Sequence, residues 1–96
     1  MLHTLHTSPF NHSGISLCLR YARPESEILL LEDGVIAGIS GSLWQEKLKT
    51  SGMKVYALDV DLKARGLMGK VDKNIQIIDF EGFVSLTERH ATQLKW

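Results

Sequence analysis

The sequence predicts an α/β fold of three layers, α/β/α, with a mostly parallel sheet of four to five strands forming one domain over residues 1–96. Two observations predict it. Short apolar runs alternate with stretches whose apolar residues recur at helical spacing, and strand–helix–strand units force parallel strands joined by right-handed crossovers, with helices on both faces of the sheet. The run Ile28-Leu29-Leu30-Leu31 is also continuous rather than alternating, as expected of a central strand covered on both faces.

The elements follow in order. Leu2-His3-Thr4-Leu5-His6 reads as a first strand, stopped by Ser8-Pro9. From residue 13 to 22, Ile15, Cys18, Leu19 and Ala22 fall at i, i+3, i+4 and i+7, the stripe of an amphipathic helix with Asn11 or Ser13 as N-cap. Arg23-Pro24 ends it, because a residue before proline avoids helical dihedrals. The central strand stops at Glu32-Asp33-Gly34, and residues 35–40 read as a short extended piece. Ser42 then caps a helix carrying Leu43, Trp44 and Leu48 and closed by Gly52. Lys54-Val55-Tyr56-Ala57-Leu58 reads as a third strand, followed by a short helix capped by Asp59 or Asp61 and ended by Gly66. Ile75-Gln76-Ile77-Ile78 is a fourth strand. Asp79 caps a last helix expected to bury Phe80, Phe83, Val84 and Thr87, and residues 92–96 are placed to add a further short strand.

Composition narrows the function. Hydrophobic residues make up 44% and charged residues 23%, which places the chain among folding sequences rather than disordered ones. A domain of 96 residues buries roughly 60–65% of its unfolded surface, so it is marginal alone and expected to expose an apolar patch for a partner. Cys18 is the only cysteine, which excludes an internal disulfide and a zinc site of several thiolates. His3, His6, His12 and His90 lack metal-ligand spacing, and no metal or other cofactor is expected. With 11 basic and 11 acidic residues, the net charge gives no footprint for direct nucleic-acid binding. No apolar run approaches a membrane span and no leader pattern opens the chain, so the expected location is cytoplasmic.

Motifs for common chemistries are missing. Gly38-Ile39-Ser40-Gly41-Ser42 lacks the dinucleotide order, and Gly66-Leu67-Met68-Gly69-Lys70 is followed by Val71 where a P-loop needs Ser or Thr. No G-x-S-x-G nucleophile elbow is present. Ligands of open parallel sheets bind beyond the carboxyl ends of the strands, where His6, Glu32, Asp33 and Asp59 would sit. Asp33-Gly34 serves as well as a turn, and Asp59 as well as a helix cap. Cys18 is the one residue with chemistry of its own, since a thiolate can accept and pass on persulfide sulphur. The helical stripe turns it toward the core and past the first turn, where the helix dipole no longer favours a thiolate. Catalytic residues are therefore expected to be none, with Cys18 kept as a persulfide candidate. Trp44 and Trp96 are either core or interface anchors.

The blocks Met1-Leu2-His3-Thr4-Leu5-His6 with Ser8-Pro9, Leu29-Leu30-Leu31-Glu32-Asp33-Gly34-Val35 and Lys54-Val55-Tyr56-Ala57-Leu58 resemble the TusB/DsrH family pattern. Asp61-Leu62, Ala64-Arg65-Gly66-Leu67, Asp79, Phe83-Val84, Leu86-Thr87, His90 and Trp96 continue it in order, so the resemblance covers nearly the whole chain. It implies a DsrE/F/H-like fold and a place beside TusC-like and TusD-like subunits in a dimer of heterotrimers, a heterohexamer. Such a sulfurtransferase complex relays persulfide sulphur from a TusA-like donor to a TusE-like acceptor for tRNA wobble uridine thiolation. The carrier cysteine of that family belongs to the TusD-type subunit, which leaves this chain a structural or regulatory part. DsrH-type relatives carry a first-helix cysteine to which Cys18 is similar, and this implies the alternative of a sulphur-carrying subunit in sulphur oxidation.

Overall fold

The computed structural model describes residues 1–11 and 13–96. Five strands, β1 (Leu2–Leu5), β2 (Glu27–Leu30), β3 (Lys54–Leu58), β4 (Gln76–Ile78) and β5 (Gln93–Lys95), form one sheet in the order β4-β3-β2-β1-β5. Every pairing is parallel. The helices are α1 (Gly14–Tyr21), α2 (Leu43–Thr50), α3 (Asp59–Ala64) and α4 (Phe80–Arg89). The central strand is β2, as its continuous apolar run predicts, and Leu29 and Leu30 point to opposite faces with no exposure of either.

Period-two alternation sorts the core into two layers. One face of the sheet carries Leu5, Ile28, Leu30, Val55 and Ala57, and packs against Ile15 and Cys18 of α1, Leu48 of α2 and Leu62 of α3. The other carries Leu2, Leu29, Tyr56 and Ile78, and among the described residues the helix it meets is α4, through Leu86 and the half-buried Phe83. That asymmetry follows from connectivity. The first three crossovers join neighbouring strands, whereas α4 must travel from the β4 edge to the β5 edge.

Local signals account for most boundaries. The Ser42 hydroxyl accepts from the Gln45 amide at 3.1 Å and the Asp79 carboxylate from the Gly82 amide at 2.9 Å, so both serve as N-caps. Gly52 and Gly66 close their helices with φ of +74° and +66°. Three expectations need correction. Residues 35–40 are not extended: Glu32–Gly38 form a 3-10 stretch. Neither Asp59 nor Asp61 caps α3, whose N-cap is Leu58 without a side-chain bond, because Asp61 turns instead to the Glu32 amide. In α4, Leu86 is the buried residue, while Phe80 and Val84 are exposed and Phe83 and Thr87 half-buried. The helix touches the sheet along a narrow stripe, so much of its apolar surface is left outside.

Candidate functional site

The carboxyl ends of the strands gather the polar residues expected there. His6 follows β1, and its Nε2 lies 3.1 Å from the Thr4 hydroxyl. Its Nδ1 is 3.6 Å from a Glu32 carboxylate oxygen, beyond hydrogen-bond reach, and among the described residues it is the buried side-chain nitrogen that finds no partner. Glu32 leaves β2 with φ of +52°, a left-handed conformation that costs a non-glycine residue energy and persists only where the surroundings hold it. The hold is visible: the Glu32 amide donates to Asp61 at 2.8 Å. Two residues on, Gly34 lies so close beneath the end of β1 that a Cβ would overlap the Leu5 carbonyl oxygen, so glycine is required there by close approach.

Arg65 completes this end. Its Nε and Nη2 donate to Asp33 at 3.0 and 2.8 Å, and Nη1 donates to the Asp61 carbonyl at 3.1 Å. Asp33 and Asp61 are therefore both tied to one guanidinium, and α3 is stitched to the 3-10 stretch that follows β2. Asp59 stands apart, in an open groove with Met68, Ile77 and Asp79. Of the four residues placed here from the sequence, the fold thus brings His6, Glu32 and Asp33 together and leaves Asp59 out. His12 lies outside the described residues.

Cys18 lies on α1 under the sheet with no exposure, and burial pushes its thiol up to about 12. A group so disposed is a neutral thiol at physiological pH, poorly suited to nucleophilic exchange until the helix moves. Trp96 is half-buried. Its backbone continues the β1–β5 ladder, donating to the Thr4 carbonyl at 2.8 Å, and its indole N–H donates to His3 Nδ1 at 3.1 Å. Burial, and after it the nearby amino terminus, hold His3 below its ordinary value of 6.5, so the ring stays neutral and free to accept.

A second polar cluster, unforeseen from the sequence, lies at the opposite end of the sheet. Glu27 begins β2 and receives the Tyr56 hydroxyl at 2.8 Å, Arg89 at 3.0 Å and His90 at 2.7 Å. Burial would raise its carboxyl, but the hydrogen bonds from His90 and Tyr56 and the charges of Arg89 and His90 outweigh that and hold it below the ordinary 4.5. This cluster clamps the end of α4 to the sheet. Among the described residues, no three His, Cys, Asp or Glu side chains are grouped to hold a metal ion, and no helix is long and apolar enough to cross a membrane.

The sequence pattern described as "DsrH like protein" matches residues 7–93. The chain is 47% identical over 96 residues to Protein TusB of Escherichia coli (strain SMS-3-5), covering all of both chains. It is 46% identical, again over the whole of both, to Protein TusB of Escherichia coli K12 and of Shigella dysenteriae serotype 1. Among solved structures it superposes on the ychN protein of Escherichia coli with a TM-score of 0.74 at 15% identity, covering 99% of this chain and 97% of that one. It superposes on protein Tm0979 of Thermotoga maritima with a TM-score of 0.68 at 25% identity, covering 94% of each.

Proposed function

The chain belongs to the DsrH-like family, and from that membership we propose that it is the TusB-type subunit of a sulphur-relay complex supplying sulphur for 2-thiolation of the tRNA wobble uridine. The observation that carries this reading is the unbroken likeness to TusB over the full length of both chains at 46–47% identity. In it the chain works in the cytoplasm beside TusC-like and TusD-like subunits, as a dimer of heterotrimers fed by a TusA-like donor and emptied by a TusE-like acceptor. It makes no direct contact with nucleic acid, in keeping with equal numbers of basic and acidic residues.

Its part in the relay is structural or regulatory, and Cys18 is a core residue rather than a sulphur carrier. Two observations support this. A persulfide carrier must meet its donor and acceptor thiols directly, and Cys18 has no exposed surface. Attack on a persulfide also needs the thiolate, which burial disfavours here. What the chain offers instead is surface. Val60, Met68, Ile77, Phe80 and Val84, on β4 and the elements beside it, stand exposed at the open β4 edge. An edge strand flanked by large apolar side chains invites association.

Co-expression with TusC-like and TusD-like chains, followed by native mass measurement, tests the assembly. A 2:2:2 complex containing this chain is expected. Purification of this chain as a stable monomer in the presence of both others contradicts the proposal.

A further inference from the structure

At the amino ends of β1 and β2, on the face covered by α1, a cavity of about 390 Å³ is lined by Met1, His3, Tyr21, Arg23, Glu25 and Ser26. It lies at the opposite end of the strands from the His6–Glu32–Arg65 group. Its size suits a small molecule.

The inner wall is built of donors. His3 is 1% exposed, and Trp96 Nε1 approaches its Nδ1 at 3.1 Å. An indole nitrogen only donates, so Nδ1 accepts and the single proton of the neutral ring sits on Nε2. Among the described residues Nε2 has no hydrogen-bond acceptor. Ser26 is 5% exposed and its oxygen accepts from the Arg23 amide at 3.4 Å, which leaves the hydroxyl proton to be given elsewhere. Unlike His6 Nδ1, His3 Nε2 is not sealed from solvent, so its N–H stands open to water or a ligand. Tyr21 closes one side, its ring 6.3 Å from His3 and 6.0 Å from Trp96, while the exposed Arg23 brings positive charge to the mouth and Glu25 stands exposed as the single carboxylate of the lining.

We propose that this cavity binds a small carboxylate or oxyanion, with one ligand oxygen accepting from His3 Nε2–H and its charge facing Arg23. The tautomer fixed by Trp96 sets the polarity of the site: the carboxy-terminal residue reaches across β1 and turns the free imidazole nitrogen into a donor. Arg23 adds a solvent-screened attraction at the mouth, and Ser26 adds a second donor from the cavity wall.

The full chain labelled with 15N and titrated separately with sodium acetate and sodium phosphate, at ionic strength held constant with sodium chloride, tests this. Long-range correlation spectra of the histidine rings are expected to place the His3 proton on Nε2. The His3 ring and the Ser26 amide are expected to shift saturably with acetate, phosphate or both, the pattern telling a planar carboxylate from a tetrahedral oxyanion. Arg23→Gln, at an exposed position, should raise the half-saturation concentration at least fivefold while the rest of the spectrum is unchanged, and Ser26→Ala should raise it as much with spectral changes confined to the turn that its hydroxyl closes on the Arg23 amide. A proton on His3 Nδ1 overturns the proposal. So does a shift that never saturates or ignores Arg23→Gln in the folded variant, which marks an adventitious ion only.

Discussion

The sheet face under α1 and α2 and the face under α4 are held by different kinds of contact. The first is a continuous apolar layer in which strands β1, β2 and β3 and three helices all contribute buried side chains. The second rests one helix on Leu86 and Phe83 and fastens its end with the Glu27, Tyr56, Arg89 and His90 cluster. The contrast follows from chain length between contacts. A crossover joining neighbouring strands covers its own βαβ unit, whereas α4 spans the whole sheet and its last turn is fixed by bonds to a residue 63 positions earlier. A layer of that second kind should lose stability as its carboxylate is protonated in acid and when its polar groups are replaced.

The largest effects separate the faces by pattern rather than by size. Leu48→Ala and Leu86→Ala each remove a side chain with almost no exposure and should each cost about 2–5 kcal/mol, read by denaturant unfolding. In native-state hydrogen exchange, Leu86→Ala is expected to lower protection chiefly in α4 and β5, while Leu48→Ala lowers it across β1, β2 and β3. Uniform loss in both variants would abolish the distinction.

Next in size is Glu27→Gln, which removes a charge-assisted acceptor from three donors and should cost about 1.5–3 kcal/mol. Because the folded Glu27 carboxyl is held below its ordinary 4.5, its contribution is complete above that pH and fades as pH falls toward the lowered folded value. Thermal unfolding between pH 3 and 6 should therefore show a steeper acid loss in wild type than in Glu27→Gln. Parallel curves would mean that the clamp contributes nothing.

The apolar face gives a smaller expectation. Cys18→Ser places a hydroxyl where the surroundings are aliphatic and should destabilise by about 1–3 kcal/mol in the same unfolding assay, without slowing sulphur transfer by assembled complex. Smallest is Trp96→Phe, which deletes the donor to His3 and should cost about 0.5–1.5 kcal/mol. His3 is also held below its ordinary 6.5, so the folded state favours the neutral ring. That stability is present above pH 6.5 and declines as pH falls below it. A wild-type stability curve flat from pH 7.5 down to 5.5 would contradict this.

What the sequence reveals follows the same division. The Ile28–Leu31 run, the Ile15–Cys18–Leu19 stripe, the caps at Ser42 and Asp79 and the closing Gly52 and Gly66 are local patterns, and each is found where its chemistry puts it. The helical turn at 32–38 escapes local reading, because Gly34 is needed beneath the Leu5 carbonyl and Glu32 takes a left-handed conformation held by Asp61 from 29 positions away. The Glu27 cluster escapes for the same reason: nothing near Glu27 in sequence announces Tyr56, Arg89 or His90. At the carboxyl ends, position beyond the strands is enough to assemble His6, Glu32 and Asp33. Spacing alone gives no hint of Arg65, whose pairing with Asp33 spans 32 residues.

Locating the sulphur decides whether this chain supports a relay without carrying the sulphur itself. In complex reconstituted with TusC-like and TusD-like chains and charged by a TusA-like donor, persulfides can be trapped by alkylation and assigned by peptide mass spectrometry. Persulfide is expected on a partner cysteine and not on Cys18, with wobble-uridine thiolation retained in an assembled Cys18→Ser complex. Persulfide on Cys18, together with loss of thiolation in that assembled variant, would contradict it.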